Sequence, residues 1–296
     1  MKTNAIIRIV LLSLAIIVLG GILVAGIGLK MYSFDFSFGE GNTGITDGTV
    51  GTQGSVPADR VRDIKIDWVA GTITLIPDEN ASDITFWDEG AEDEKHQMVW
   101  KHSGDTLSIQ YEKSKVYVGI QVTEESKNLT ITVPAGWVCR SLEIDAASAE
   151  VQVVDLTLGE VDFDGASGIC TFENCIVGEL DVDTASGDLF YNGQLETLNV
   201  SSMSANCEVV LTKAPREIDL ESMSGDLFLT LPEDCGFSVD MNAMSSDFST
   251  DFETVTKNGR HVHGDGSCRI DIDAMSGDVC IYKHTGESHH NDWHHG

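Results

Sequence analysis

Seven stretches of this chain are variants of one dozen-residue phrase, and that repetition constrains the fold more than anything else in the sequence. The clearest copies are LDVDTASGDLFY (180–191), IDLESMSGDLFL (218–229) and IDIDAMSGDVCIY (270–282). Aligned on the central serine, the copies fall at Ser148, Ser167, Ser186, Ser204, Ser224, Ser245 and Ser276, spaced 19, 19, 18, 20, 21 and 31 residues apart. An eighth, divergent copy, IKIDWVAGTITL, puts Ala70 in the serine slot. The 78 residues from Ala70 to Ser148 are close to four periods, and ITF (84–86), LSIQ (107–110) and LTITV (129–133) read there as strands of worn copies.

Within a copy, apolar residues stand six and four positions before the serine, immediately before it, and three and five positions after it, as in Ile270, Ile272, Met275, Val279 and Ile281. Acids such as Asp271, Asp273 and Asp278 take alternate slots. Alternation of period two is the signature of a half-buried strand. The small Ser-Gly between two such strands is a corner, where glycine permits a backbone turn that bulkier residues resist. One strand–corner–strand unit cannot bury its own apolar side, whereas stacked units bury it against each other in a continuous column. The expected fold is all-β: a β-solenoid (β-helix-like) of coils of about 20 residues over 60–283. Seven or eight coils give a rod on the order of 35 Å tall. A sandwich does not repeat one phrase from strand to strand, and a propeller blade repeats at about forty residues.

These hydrophobic–Asp–hydrophobic–x–x–(Ala/Met)–Ser–Gly–Asp–hydrophobic copies resemble a bacterial family of β-strand-repeat domains that is labelled an adhesin domain and has no known function. The resemblance runs from about Arg60 to Lys283. It implies a β-helix-like fold, a position outside the cytoplasm and no established catalytic residues. Members commonly stand behind a single N-terminal membrane helix in Gram-positive envelope proteins, some beside envelope-stress regulatory genes. "Adhesin" is there a label by analogy of fold.

The remainder of the chain reads as follows. Residues 9–29, IVLLSLAIIVLGGILVAGIGL, carry no charge and are long enough to cross a bilayer as a helix. Lys2 and Arg8 precede the run, so residues 1–30 are expected to be a cytoplasmic N-terminus and transmembrane anchor, with everything beyond Lys30 exported. The run exceeds a usual signal core and ends without an A-x-A site, which favours a retained signal-anchor over a cleaved signal peptide. Residues 31–59 read as a juxtamembrane segment with alternating aromatics (Tyr32, Phe34, Phe36, Phe38), followed from 39 by a Gly- and Thr-rich flexible linker. Residues 284–296 form a His-rich polar tail. The 31-residue step before Ser276 places an insertion at TKNGRHVHGDGS (256–267), expected as a loop between coils.

Charge narrows the partners. The chain has 48 acids, 18 bases and a net charge of −30; between Ser141 and Lys283 there are 28 acids and 6 bases, a net of −22. Such a surface repels nucleic acid and anionic headgroups and favours cations or basic partners. The seven cysteines contain no CxxC, so neither a zinc knuckle nor a thioredoxin-type site is indicated, and most fit as small buried apolar residues.

Two groups of residues suit a metal. Stacking in register puts Asp162, Asp181, Asp219, Asp240 and Asp271 in one row, and Asp188, Asp226, Asp247 and Asp278 in a second beside the corners. Rows of carboxylates about 5 Å apart attract a hard cation such as Ca²⁺, or stand as a solvated face that discourages edge-to-edge aggregation. In the tail, His284, His289, His290, His294 and His295 suit Zn²⁺ or another borderline ion, with His261 and His263 of the insertion as further ligands, or form a simple polar tail. No cofactor is required. Catalysis is not expected: the acids follow the repeat, the serines occupy corners, and no G-x-S-x-G occurs. The chain therefore reads as a membrane-anchored binding, adhesion or scaffold module at the cell envelope, facing a cell-wall polymer or an envelope protein and linked to stress sensing. A carbohydrate-active β-helix enzyme and a metal-binding surface protein are the alternatives.

Overall fold

Each coil is fixed to its neighbours by register, and the corner residues align as the repeat requires. In the computed structural model, which describes residues 45, 47–90, 96–112 and 126–284, Ala70 lies beside Ser148, Ser204 beside Ser224, and Ser245 beside Ser276, all in parallel pairing. The strands belong to one unit, Phe38–Lys115 with Glu124–Gly296. The two arms of a coil are continuous strand in Asp63–Asp78 and Val138–Val154, and Thr157–Ser204 runs unbroken through the Ser167 and Ser186 corners. Among the described residues there is no α-helix, and no helix long and apolar enough to cross a membrane. The apolar run 9–29 and the aromatic segment 31–38 lie outside the described residues.

The apolar slots form the core. Ile64, Leu142, Val161, Leu180, Leu198, Ile218 and Ile270 are fully buried, one above another, as are Ile73, Val209 and Leu229 in the facing arms. Each such side chain contributes about 1.5–3 kcal/mol relative to exposure. Cys170 pairs in register with Val151, and Cys207 with Leu189, so these thiols occupy slots that valine or leucine fills elsewhere. Burial pushes the Cys139 and Cys207 thiols up to about 12.

The stacking order departs from the order of the sequence. The Ser224 coil (Glu217–Ser224, Leu227–Leu231) pairs on one side with the Ser204 coil and on the other with the last coil, Cys268–Ser276 and Val279–Lys283. The Ser245 coil (Phe237–Ser245, Phe248–Thr250) pairs on the far side of that last coil. The chain thus passes one level beyond its place and then returns to fill the gap. The insertion makes the return. Val255–Lys257 and Arg260–His263 form a hairpin whose turn, Asn258 and Gly259, has φ of 52° and 83°, the left-handed pair that suits a two-residue β-hairpin turn. Its second strand pairs antiparallel with Phe237–Val239 and covers part of the outermost edge. The expected loop between successive coils is therefore a crossover with a cap.

At the other end the worn copies resolve into one coil. Thr106–Gln110 and Lys127–Pro134 pair parallel with the two arms of Asp63–Asp78, so together they are the two arms of a single further level. Asp83–Glu89, which holds ITF, runs antiparallel and covers Lys127–Pro134 rather than forming a coil. The Ala70 coil stacks directly on the Ser148 coil, so no worn coil lies between them. The expected linker is also corrected. Gln53–Pro57 pairs antiparallel with Asp83–Glu89, and Thr49–Val50 with Val99–Ser103, so pairing begins before residue 60. Its physical basis is buried Val56 between small residues, too short a pattern to register as alternation.

Candidate functional site

The acidic slots gather into two adjacent columns on one face. The first runs through Glu143, Asp162, Asp181, Asn199, Asp219, Asp271 and Asp240. The second, two residues along each strand, includes Asp67, Asp145 and Asp164, with Asp183 close to Asp164. Bases close both ends of the first column: Lys65 on Glu143, Arg269 on Asp271, and Arg260 on Asp240 at 2.8 Å. Among the described residues no base pairs with Asp145, Asp162, Asp164 or Asp183 in the middle.

Half-burial and neighbouring carboxylates push Asp145 and Asp162 up to about 6, burial acting first on both, then Asp164. Burial and Asp183 raise Asp164 as well, and burial and Asp271 raise Asp219. Carboxyl groups that titrate near 6 when folded and near 4 when unfolded bind extra protons in the folded state between those values. Their contribution to stability is full below about pH 4 and is lost as pH rises through about 6. The β domain is therefore expected to be more stable at pH 5 than at pH 7.5, by on the order of 2 kcal/mol after allowance for solvent screening, and to melt correspondingly higher. Asp145→Asn should raise Tm at pH 7.5 and flatten this dependence. A Tm that falls steadily from pH 7.5 to 5 would contradict the assignment.

The corner row does different work. The backbone N–H of Asn206 donates to Asp188 Oδ1 at 2.9 Å, and that of Asp226 to Asn206 Oδ1 at 3.1 Å. Asp278 N–H donates to Asp226 Oδ1 at 2.8 Å, and Asp247 N–H to Asp278 Oδ1 at 3.1 Å. The carboxylates expected beside the corners thus stack in register, and each step accepts the amide of the next coil, with Asn206 standing in where the row lacks an acid. An acceptor on a short side chain completes the ladder where the corner interrupts backbone pairing. Among the described residues no three His, Cys, Asp or Glu side chains group as a metal-holding set.

Beside the crossover hairpin lies a cleft of about 410 Å³, lined by Lys213, Asp234, Cys235, His263, Asp265 and Ser267 among others. These groups are engaged locally. His263 Nδ1 is 2.8 Å from the Glu253 carbonyl, and its ring packs on Phe252 with centroids 4.8 Å apart. The Ser267 hydroxyl donates to the Gly236 carbonyl at 3.2 Å, and Asp265 Oδ1 accepts the Ser267 amide at 3.0 Å. No nucleophile–base relay links serine, histidine and aspartate here. His261 stacks on Phe248, centroids 4.6 Å apart.

A family model described as Toastrack DUF4097 matches residues 61–282, the span of the stacked coils. The chain belongs to this family. Among solved structures it is similar to a "putative adhesin" from Bacteroides fragilis, at 13% identity over 77% of this chain and 96% of that one, with a TM-score of 0.48. It is similar also to a "putative cell adhesion protein" from Clostridium sporogenes, at 10% identity over 78% and 99%, with a TM-score of 0.35. A third is a "putative lipid binding protein" from Parabacteroides distasonis, at 12% identity over 79% and 96%, with a TM-score of 0.28. No curated protein matches.

Within this Toastrack domain one cluster escaped sequence reasoning. Lys127 Nζ is fully buried and reaches Asp88 Oδ2 at 3.0 Å, the His96 carbonyl at 2.8 Å and the Tyr111 carbonyl. It sits 3.9 Å from the Tyr111 ring centroid and 4.8 Å from that of Trp68. Burial holds the Asp88 carboxyl above its ordinary value despite the ammonium. A signal was present: Asp88 shares the strand phase of buried Ile84 and Phe86, and Lys127 that of Leu129 and Ile131. Two opposite charges each in an apolar phase mark a buried pair. Of the tail, His284 is exposed and its amide donates to the Leu231 carbonyl at 2.8 Å. His289, His290, His294 and His295 lie outside the described residues.

Proposed function

We propose that this protein is a binding and scaffold module of the cell envelope, held in the membrane by residues 9–29 with the N-terminus in the cytoplasm and the Toastrack domain outside. The acidic face binds a cationic partner. What supports this reading is the unpaired middle of that face, Asp145, Asp162, Asp164 and Asp183, whose mutual repulsion a cation relieves. A partner with that chemistry is a basic segment of a neighbouring envelope protein, which is also the route by which the domain would take part in stress sensing, or an amine-bearing cell-wall polymer. No catalytic step belongs to the reading.

The full-length chain in lipid nanodiscs, titrated with polylysine, tests the face. Converting Asp145, Asp162, Asp164 and Asp183 together to asparagine should weaken binding about tenfold or more and reduce its salt dependence. Equal binding by both forms would remove the face from the mechanism. Protease added to intact cells should digest the β domain, and protection of the domain until lysis would refute the exported position.

A further inference from the structure

Cys235 and Cys268 differ from the cysteines that fill repeated apolar slots. Cys235 lies in the turn between Leu231 and Phe237, outside the repeat, where its amide donates to the Pro232 carbonyl at 3.0 Å. Cys268 is the first residue of the inserted last coil; it pairs in register with Phe237, and its amide donates to the Gly236 carbonyl at 2.9 Å. Both are free thiols shielded from solvent, and they meet at one carbonyl: Cys235 Sγ donates to the Gly236 oxygen at 3.8 Å, the same oxygen that accepts the Cys268 amide. Cys235 also lines the 410 Å³ cleft, which gives the pair a side open to a small reagent.

We propose that Cys235 and Cys268 are a disulfide-forming site that locks the out-of-order coil in place. The 32 residues between Cys235 and Cys268 comprise the Ser245 coil and the crossover hairpin, and the last coil that follows them sits between the Ser245 coil and the Ser224 coil. A bond across its base closes that loop once the last coil is seated.

The oxidant is a small organic disulfide, RSSR. The Cys235 thiolate attacks one sulfur, the S–S bond breaks, and the released RS⁻ takes up the proton that Cys235 gave up. Cys268 Sγ then attacks Cys235 Sγ in the mixed disulfide and expels the second RS⁻, which takes the Cys268 proton. Two protein thiols are oxidised by two electrons, and RSSR is reduced to two RSH. Cys235 is the attacking group because it faces the cleft. The neighbouring Cys268 thiol also holds its pKa below the ordinary thiol value, against burial and the charges of Asp234 and Asp265. Those two carboxylates on the rim favour a cationic disulfide.

The test uses the full-length chain, purified under reducing conditions, treated with cystamine, denatured, alkylated and digested with trypsin. Two of the seven cysteines should resist alkylation, and peptide 217–257 should be recovered linked to 261–269. Tm should rise by about 5 °C or more and return with dithiothreitol. Cys268→Ala should instead hold one cysteamine at Cys235, because nothing remains to resolve the mixed disulfide. Alkylation of all seven thiols, a link between other cysteines, or a Cys268→Ala protein that picks up no cysteamine would each overturn the assignment.

Discussion

Replacing Lys127 by methionine is expected to destabilise the β domain by about 3–5 kcal/mol, because it leaves the Asp88 carboxyl buried without its counter-ion. Oδ1 of Asp88 already has no hydrogen-bond partner, so the ammonium at 3.0 Å from Oδ2 is the main compensation for placing that group among aromatic rings. Methionine keeps the length and the ring contacts but offers nothing to the Asp88 carboxylate. It also abandons the carbonyls of His96 and Tyr111. The double replacement Lys127→Met with Asp88→Leu should recover most of the loss, since an apolar pair of similar volume has no ions to desolvate. Chemical denaturation of the four members of the cycle measures the coupling. A single Lys127→Met variant within about 1 kcal/mol of the parent would mean that solvent reaches Asp88, contrary to its burial.

Much of this fold could be read from the sequence because a parallel stack repeats its own constraint. The apolar slots before and after each corner must meet their counterparts, so aligning copies on Ser148 to Ser276 already gives the register found between coils. The acidic columns follow from the same alternation. The neighbour order did not follow, since the Ser224, Ser245 and Ser276 copies have matching edges and any of them fits beside any other. What decides it is the hairpin around Asn258 and Gly259, which returns the chain to the level it had skipped. The antiparallel cap at the other end was hidden for a related reason. The strand Gln53–Pro57 buries a single Val56, and a covering strand needs only a backbone edge to pair with. The corner aspartates were legible as a row, but their role depends on amides supplied by the adjacent coil. Lys127 and Asp88 were legible only as faults in phase on strands 39 residues apart.

Alanine at Gly225 is expected to cost more than 3 kcal/mol or so, well beyond the loss of a helix- or strand-type preference. Gly225 has φ of 135°, and a Cβ built there stands 1.9 Å from the Ala205 carbonyl oxygen of the coil beneath. The neighbour is backbone, already hydrogen-bonded through the Ala205 amide to the Ser224 carbonyl at 3.2 Å, so it cannot yield as a flexible side chain would. Nor can the corner lift away. The missing Cβ of Gly277 in the inserted coil points at the Gly225 carbonyl, 2.0 Å from it, so any outward shift of Gly225 presses on the next level. Strain at this corner is therefore passed to the coil stacked on it, 268–283. Ala205→Gly is the matched control: Ala205 holds an ordinary φ, and removing its methyl should cost about 1 kcal/mol or less. Hydrogen exchange should show residues 268–283 of the Gly225→Ala protein opening ahead of the Ser167 and Ser186 coils. Uniform loosening of all coils, or a cost below about 1 kcal/mol, would mean that glycine at the corner is set by the turn alone and not by the close approach of stacked backbones.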